Sequence, residues 1–106
     1  MKFNEKTIQA VWDKGRAMPD RNADEWRQDQ CGAWLHRQQY QNEQSEYGWK
    51  ILNVAAGGGD DLEHLRPFHY KNTFDIANGK EQCRITADRA GLMPAQSVGQ
   101  PRNSPV

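Results

Sequence analysis

The sequence predicts a small α+β domain: an N-terminal helix, a β-hairpin followed by a second helix, and a mobile C-terminal tail. Three observations support this. Apolar residues recur at helical spacing near the N-terminus, two apolar stretches at mid-chain have strand character, and glycine and proline accumulate near the C-terminus. A chain of 106 residues has room for one modest core. We therefore expect one folded domain over residues 1–86 and a disordered tail over residues 87–106.

The first helix is predicted to begin after Asn4, whose side chain can cap it. Its apolar face consists of Ile8, Val11 and Trp12. Gly15 is expected to end it, since glycine commonly follows the last helical turn. The next segment, Arg16 to Asp29, mixes proline, asparagine and paired charges, and it is predicted to be a loop with at most one short helical turn.

The central segments are predicted to be two strands, Cys31 to His36 and Tyr47 to Val54. A glycine-rich turn and one helical turn should then lead to a short strand from Leu65 to Phe68. The second helix is predicted from about Tyr70 to Asn78 because apolar residues share one face there. A last strand should follow from Cys83 to Thr86.

Composition argues against several classes of protein. The formal net charge is zero, which disfavours a strong general DNA binder, because such proteins usually carry a basic patch that neutralises phosphates. The longest apolar stretch is far too short to span a membrane, so a soluble, cytoplasmic protein without membrane contact is expected. Cys31 and Cys83 each lack a nearby second cysteine, and buried reduced thiols are the favoured interpretation.

Two segments resemble small bacterial and phage HNH endonucleases of the ββα-metal fold. The first is CGAWLHRQQYQNEQSEYGWKILNV, from Cys31 to Val54, and the second is GGGDDLEHLRPFHYKN, from Gly57 to Asn72. In that family an aspartate and a terminal asparagine or histidine hold a divalent cation, while a histidine activates water. The resemblance therefore implies a hairpin followed by a helix that together carry a metal site.

The catalytic positions of the family are replaced in this chain. Leu52 and Asn53 stand where the family has its Asp-His pair, His64 replaces the middle asparagine, and Thr73 replaces the terminal ligand. A hydrocarbon cannot hold a cation and an amide cannot accept the proton from water. The resemblance thus implies a pseudonuclease with no catalytic residues and no cofactor. His64 and His69 remain weak candidates for a metal site.

The sequence supports three functional hypotheses. The first is a protein-binding inhibitor or regulator, for example of a nuclease or a phage-defence complex. The second is a weak nicking endonuclease that uses a divalent metal ion. The third is a protein that binds DNA without cleaving it, which zero net charge disfavours. Five basic residues are candidates for binding: Lys14, Arg16, Arg37, Arg66 and Lys71.

Overall fold

The computed structural model describes residues 3–19, 21–55, 61–88 and 101–106. Within them the chain forms one α-helix and nine short strands. The fold is mixed α+β, as predicted, and most of its elements are strands. The helix is α1 (Glu5–Trp12). The strands are β1 (Arg16–Ala17), β2 (Trp26–Gln28), β3 (Trp34–His36), β4 (Trp49–Asn53), β5 (Leu65–His69), β6 (Thr73–Asp75), β7 (Lys80–Gln82), β8 (Ile85–Ala87) and β9 (Asn103–Pro105).

All the strand pairs of these sheets are antiparallel. Strands β1, β2 and β3 form one sheet in sequence order, and the remaining strands form three pairs, β4 with β5, β6 with β7 and β8 with β9. The longest pairing is β4 with β5, where Trp49 lies opposite His69 and Asn53 lies opposite Leu65. Because the sheets are small, contacts between them must hold the domain together.

Helix α1 packs its apolar face into the core, as the sequence predicts. The Asn4 side chain accepts a hydrogen bond from the amide of Thr7 at 2.8 Å and caps the helix. The core cluster is Ile8, Val11, Trp12, Leu35, Trp49 and Leu65. The rings of Trp12 and Trp49 lie 5.2 Å apart between centroids and are fully buried. Since each indole N–H donates to a backbone carbonyl, burying these rings leaves no donor unpaired.

The prediction of a loop from Arg16 to Asp29 is wrong at its two ends. Strands β1 and β2 pair there, with Arg16 opposite Gln28. The predicted helical turn before Trp26 is present, since the amides of Glu25 and Trp26 both donate to the carbonyl of Asn22. A two-residue strand is too short to produce a readable alternation of polar and apolar residues.

The predicted helix from Tyr70 to Asn78 is wrong, so the ββα element is not formed. The segment instead makes a turn and the hairpin of β6 and β7. Gly79 closes this hairpin with a φ of +68°, a conformation that glycine adopts at little cost. The Phe74 ring packs edge-on against Phe68, with centroids 6.3 Å apart. Tertiary packing has therefore overridden a weak helical pattern.

A buried bond between Asp29 and Asn72 joins the separate sheets. The carboxylate of Asp29 accepts hydrogen bonds from the amides of Cys31, Ala33 and His69 and from the side chain of Asn72. The Asn72 side chain also accepts from the amides of Arg84 and Ile85 and donates to the Ile85 carbonyl. Asp29 is 2% exposed and Asn72 is 0% exposed. The turn after β2, the end of β5 and the start of β8 are thus connected by one buried network of hydrogen bonds.

Cys31 and Cys83 form a disulfide, so the prediction of reduced thiols is wrong. The two residues are 52 positions apart in the chain, and this distance hid the pair from a search for neighbouring cysteines. Gly32, with a φ of +84°, makes the tight turn beside Cys31. Closing a loop of this length restricts the unfolded chain and stabilises the fold by about 4 kcal/mol in the chain-entropy model.

The predicted disordered tail is wrong for its final residues. Strand β9 pairs with β8, Asn103 lying opposite Ala87. The Asn103 side chain accepts from the amide of Trp34 and donates to the carbonyls of Trp34 and Glu46. Tyr47 donates its hydroxyl proton to the carbonyl of the buried Pro101 at 2.6 Å. The remainder of the predicted tail, residues 89–100, lies outside the described residues.

Replacing Asn72 with alanine is expected to lower the free energy of unfolding by about 3 kcal/mol, because it removes one hydrogen bond from the buried Asp29 carboxylate and leaves the amides of Arg84 and Ile85 without their partner. Urea denaturation measures this loss. Asn78→Ala is the matched control, since Asn78 is exposed and bonds only within its own hairpin. An equal loss in the two variants would show that the buried position of Asn72 has no special importance.

Candidate functional site

Three of the four replaced motif positions, Leu52, Asn53 and His64, lie in or beside the hairpin of β4 and β5, and Thr73 begins the next strand. Leu52 and Asn53 lie in β4, where Leu52 is opposite Arg66. The Asn53 side chain accepts a hydrogen bond from the amide of Ala55 at 2.9 Å, which is a local turn contact. Thr73 opens β6 and is exposed. None of these side chains is a carboxylate, the ligand that a hard cation prefers.

His64 and His69 cannot share a metal ion, although they were the weak candidates for one. His64 precedes β5 and His69 ends it, so about 17 Å of extended backbone separates their Cα atoms. His69 is buried, its Nε2 faces the Glu46 carbonyl at 2.7 Å, and its Nδ1 accepts from the amide of Lys71 at 3.1 Å. Both ring nitrogens are therefore already engaged.

His64 instead lies beside two acidic residues. Asp61, Glu63 and His64 place one ligand atom each within 4.8 Å of one another. The two carboxylates are exposed and His64 is partly exposed. Groups of this kind are common on protein surfaces without a metal, but the donor set of two carboxylates and an imidazole would suit a divalent cation.

Three of the five predicted cations line one cleft. Lys14 follows helix α1, Arg16 begins β1 and Arg66 lies in β5, and all of them border a cleft of about 500 Å³. The Lys14 ammonium donates to the carbonyls of Leu62 and Leu65. Burial lowers the pKa of Lys14 from its ordinary value, and the nearby Arg66 lowers it further. The cleft thus has a small excess of positive charge, three cationic residues against the acidic Asp29 and Glu81.

Gln28 also lines this cleft and is 1% exposed. Among the described residues, neither its amide nitrogen nor its amide oxygen has a hydrogen-bond partner. An unpaired buried amide costs free energy, on the order of 1–3 kcal/mol.

The rest of the cleft wall is mixed in character. Phe74 contributes an aromatic ring, while Glu81 contributes one carboxylate, which accepts from the side chain of Gln30 at 2.9 Å. The Asp29 carboxylate also lies there, but its oxygens already accept the hydrogen bonds of the buried network. A ligand therefore meets three cations, the carboxylate of Glu81 and a ring.

The other two predicted cations do not line this cleft. Arg37 pairs with Glu5 at 2.7 Å and lies over the ring of Trp49. Lys71 borders a second cleft of about 380 Å³ next to Glu43 and Glu46. The spacing of basic residues along the sequence could not separate these two from the others, because strand pairing decides which cations converge.

Four partly exposed aromatic side chains form a second surface, which we call the aromatic face: Trp26, Trp34, His36 and Tyr47. The Trp26 ring lies edge-on to the other three rings, at centroid distances of 4.6 to 6.4 Å. The guanidinium of Arg21 lies 5.9 Å from the Trp34 ring. Tryptophan, tyrosine and arginine are enriched at protein interfaces, so this face has the composition of a protein-binding surface.

Sequence reasoning missed Gln28 and Phe74 as candidate site residues. Gln28 stands in a segment predicted to be a loop, and Phe74 in a segment predicted to be a helix. Nothing in the residue types around them marks a site. The close approach of β2 and β6 to the cations of the cleft depends on tertiary structure.

Comparison with known proteins adds no relative: no protein-family model, no curated protein and no solved structure matches this chain. The resemblance to HNH nucleases therefore stays a prediction from the sequence. In the part of the chain that the structure describes, no helix is long and apolar enough to cross a membrane.

The buried His69 predicts a pH dependence of stability. Burial lowers the pKa of His69 from its ordinary value of 6.5, and the Glu46 carbonyl and the Asp29 carboxylate oppose this effect in part. The unfolded chain then binds a proton more readily than the native chain does. The contribution of neutral His69 is fully present above about pH 6.5 and decreases as pH falls through the window between the unfolded and native pKa values.

We expect a lower urea midpoint at about pH 5 than at about pH 7.5, with a smaller difference in His69→Gln than in the natural chain. His36→Gln is the control, because His36 is only partly buried. If the two variants show the same pH dependence as the natural chain, protonation of His69 does not govern acid stability.

Proposed function

We propose that this chain is a binding protein without nuclease activity, and that the cationic cleft is its ligand-binding site. The observation that carries this proposal is the convergence of Lys14, Arg16 and Arg66 on one cleft. The cations favour a negatively charged ligand. Glu81 reduces the positive charge, so a ligand of modest negative charge fits best.

The replaced motif positions support the absence of nuclease chemistry. Leu52 offers no metal ligand, and the side chain of Asn53 accepts a backbone hydrogen bond. The expected ββα helix, which would present the remaining ligand in HNH nucleases, is a hairpin here. The inference of an inactive domain thus rests on the residue types and on their local structure together.

A role as a protein-binding inhibitor or regulator, for example of a nuclease or phage-defence complex, remains part of the proposal. The aromatic face supports it, because clustered tryptophan and tyrosine side chains supply much of the binding energy at protein interfaces. Binding to duplex DNA ranks lower. Three cations in one cleft are few beside the six to ten phosphate contacts, roughly, of a typical salt-sensitive DNA-binding protein.

A weak, metal-dependent nicking endonuclease is the second candidate function. The grouping of Asp61, Glu63 and His64 favours it, since these residues could hold a divalent cation. In that case His64 would act as a ligand and would be unable to serve as the general base. The grouping is exposed, so a bound cation would remain largely hydrated.

The disulfide weighs against the predicted cytoplasmic location. Disulfides persist in oxidising environments and are rare in cytosolic proteins, where thiols are kept reduced. Cys31 and Cys83 are both used in the pair. We infer that the chain acquires its disulfide in an oxidising environment.

Anion binding is tested by adding pyrophosphate to isotope-labelled protein and following the backbone amide signals of the cleft by NMR. We expect saturable shifts that Arg66→Ala weakens by about tenfold or more, because a hydrogen bond to a charged group contributes about 1.5–3 kcal/mol. Arg37→Ala is the matched control, since it removes the same charge outside the cleft. Equal weakening in both variants, or no shift in the natural chain, would overturn the proposed site.

The absence of nuclease activity is tested with supercoiled plasmid and Mg²⁺, Mn²⁺ or Ni²⁺. We expect no loss of supercoiling, because Leu52 and Asn53 replace the metal ligand and the general base of the nuclease family, and the described motif positions provide no buried cation site. Asp61→Asn combined with Glu63→Gln separates the two candidate functions. If the natural chain nicks the plasmid, EDTA stops the reaction and this double variant is inactive, the endonuclease replaces the proposal.

A further inference from the structure

Residues 101–106, which we call the β9 segment, lie in a groove of the domain as an extended peptide ligand would. The groove, called the β8 groove below, has strand β8 on one side and Trp34 and Glu46 on the other. The segment runs antiparallel to β8, with Ser104 opposite Thr86. Addition of an extended segment to a strand is a recurring mode of peptide recognition, in which backbone hydrogen bonds supply affinity and side chains supply specificity.

Asn103 is the most specific contact of the β9 segment. Its side-chain oxygen accepts from the amide of Trp34 at 2.7 Å, and its side-chain nitrogen donates to the carbonyls of Trp34 at 3.0 Å and Glu46 at 2.9 Å. Its backbone amide donates to the Glu46 carboxylate at 2.7 Å. The position requires a carboxamide, because an aspartate has no donor for the two carbonyls and would bring a second negative charge to Glu46.

The two residues before Asn103 add contacts on the same wall. The Nε of Arg102 donates to both carboxylate oxygens of Glu46, at 3.0 and 2.9 Å. The Arg102 side chain is 68% exposed, so this pair contributes less than the bonds of Asn103. Pro101 is buried, and its carbonyl accepts from the hydroxyl of Tyr47. The groove thus contacts a proline, an arginine and an asparagine in succession.

The walls of the β8 groove are held in place by bonds that do not involve the β9 segment. Strand β8 follows the disulfide-bonded Cys83, and its Ala87 amide donates to the carbonyl of Gly32. On the opposite wall, Trp34 lies opposite Gln28 in the sheet of β1, β2 and β3. These contacts do not depend on the segment, so the groove stays formed when the segment leaves.

The β9 segment itself is held mainly by hydrogen bonds. Pro101 is its only buried residue, and the core cluster of the described residues contains no member of the segment. A hydrogen bond within a protein replaces one with water, so its net contribution is only about 0.5–1.5 kcal/mol. Regions with few buried apolar contacts open at a lower free energy than the core does. The segment can therefore leave the groove while the core stays folded.

We propose that the β8 groove binds an extended segment of a partner protein that carries Pro-Arg-Asn, and that the β9 segment occupies the groove when the partner is absent. The β9 segment then acts as an internal competitor. The chemistry of the partner follows from the contacts described: a cation for the Glu46 carboxylate and a carboxamide for the backbone of Trp34. The inference is independent of the anion-binding cleft, since none of the three cations of that cleft belongs to the groove.

The experiment uses the full disulfide-bonded chain, isotope-labelled for NMR, and a synthetic peptide Pro-Arg-Asn-Ser-Pro-Val that is acetylated and amidated at its ends. Asn103→Ala removes the side-chain bonds that hold the chain's own segment. We expect the peptide to shift the amide signals of Trp34 and Thr86 in this variant in a saturable manner. The natural chain should bind it about tenfold or more weakly, because its own segment competes at a high effective concentration.

Two matched controls accompany this measurement. A peptide with aspartate in place of asparagine should bind Asn103→Ala about tenfold or more weakly, because it lacks the donor for the two groove carbonyls. The chain variant Asn78→Ala removes an exposed asparagine outside the groove and should bind the peptide as weakly as the natural chain does.

Hydrogen exchange of the natural chain tests the release of the segment without any substitution. The amides of Trp34 and Asp88 donate to the β9 segment, whereas the amide of Ala33 donates to the buried Asp29 carboxylate. We expect Trp34 and Asp88 to exchange through an opening that is about a hundredfold or more populated than the opening that exposes Ala33.

Each contrary result overturns the proposal in a defined way. If Trp34 exchanges only together with Ala33, or if Asn103→Ala unfolds the domain, the β9 segment is part of the cooperative core. If folded Asn103→Ala binds no peptide, or binds the aspartate peptide equally well, the groove does not recognise this chemistry. If the natural chain forms a dimer in which two copies exchange their β9 segments, a second copy is the occupant in place of a partner protein.

Discussion

The hydrogen bond between Asp29 and Asn72 is the constraint on which the arrangement of this small domain depends. The described sheets are short, and none of them is large enough to fold alone. The two side chains collect amides from the turn after β2, the end of β5 and the start of β8. Because a buried carboxylate without partners is costly, alternative packings that separate these segments are strongly disfavoured. The polar network thus selects one assembly, while the tryptophan core supplies the burial that stabilises it.

The sequence predicted the elements whose signals are local. Helix α1 has a cap and an apolar stripe, and β4 and β5 carry strand-like residues over five positions each, so their existence could be inferred. The hairpin of β6 and β7 could not, because the apolar spacing around Phe74 fits a helix as well as it fits a strand. The pairing of β8 with β9 and the disulfide depend on partners far apart in the chain, which local patterns do not encode.

The candidate site was predictable only in part, for the same reason. Lys14, Arg16 and Arg66 were chosen for their charge, and the structure unites them with Gln28, which no local signal marks. The unpaired amide of Gln28 has an energetic cost. The unpaired amide destabilises the unliganded domain, and the stable network around Asp29 offsets such a cost elsewhere. Gln28 ends β2 and Asp29 follows it directly, so the unpaired amide and the buried network belong to neighbouring residues.

The disulfide also determines how the chain responds to mechanical force. It closes a ring between Cys31 and Cys83, from which helix α1 and strand β9 extend as two arms toward the chain ends. When the two termini are pulled apart, only the segments outside the ring and the short link through the two sulfur atoms can be extended. About half of the chain is shielded from extension until the bond is reduced. The length to which the domain can be extended by force therefore depends on whether the disulfide is oxidised or reduced.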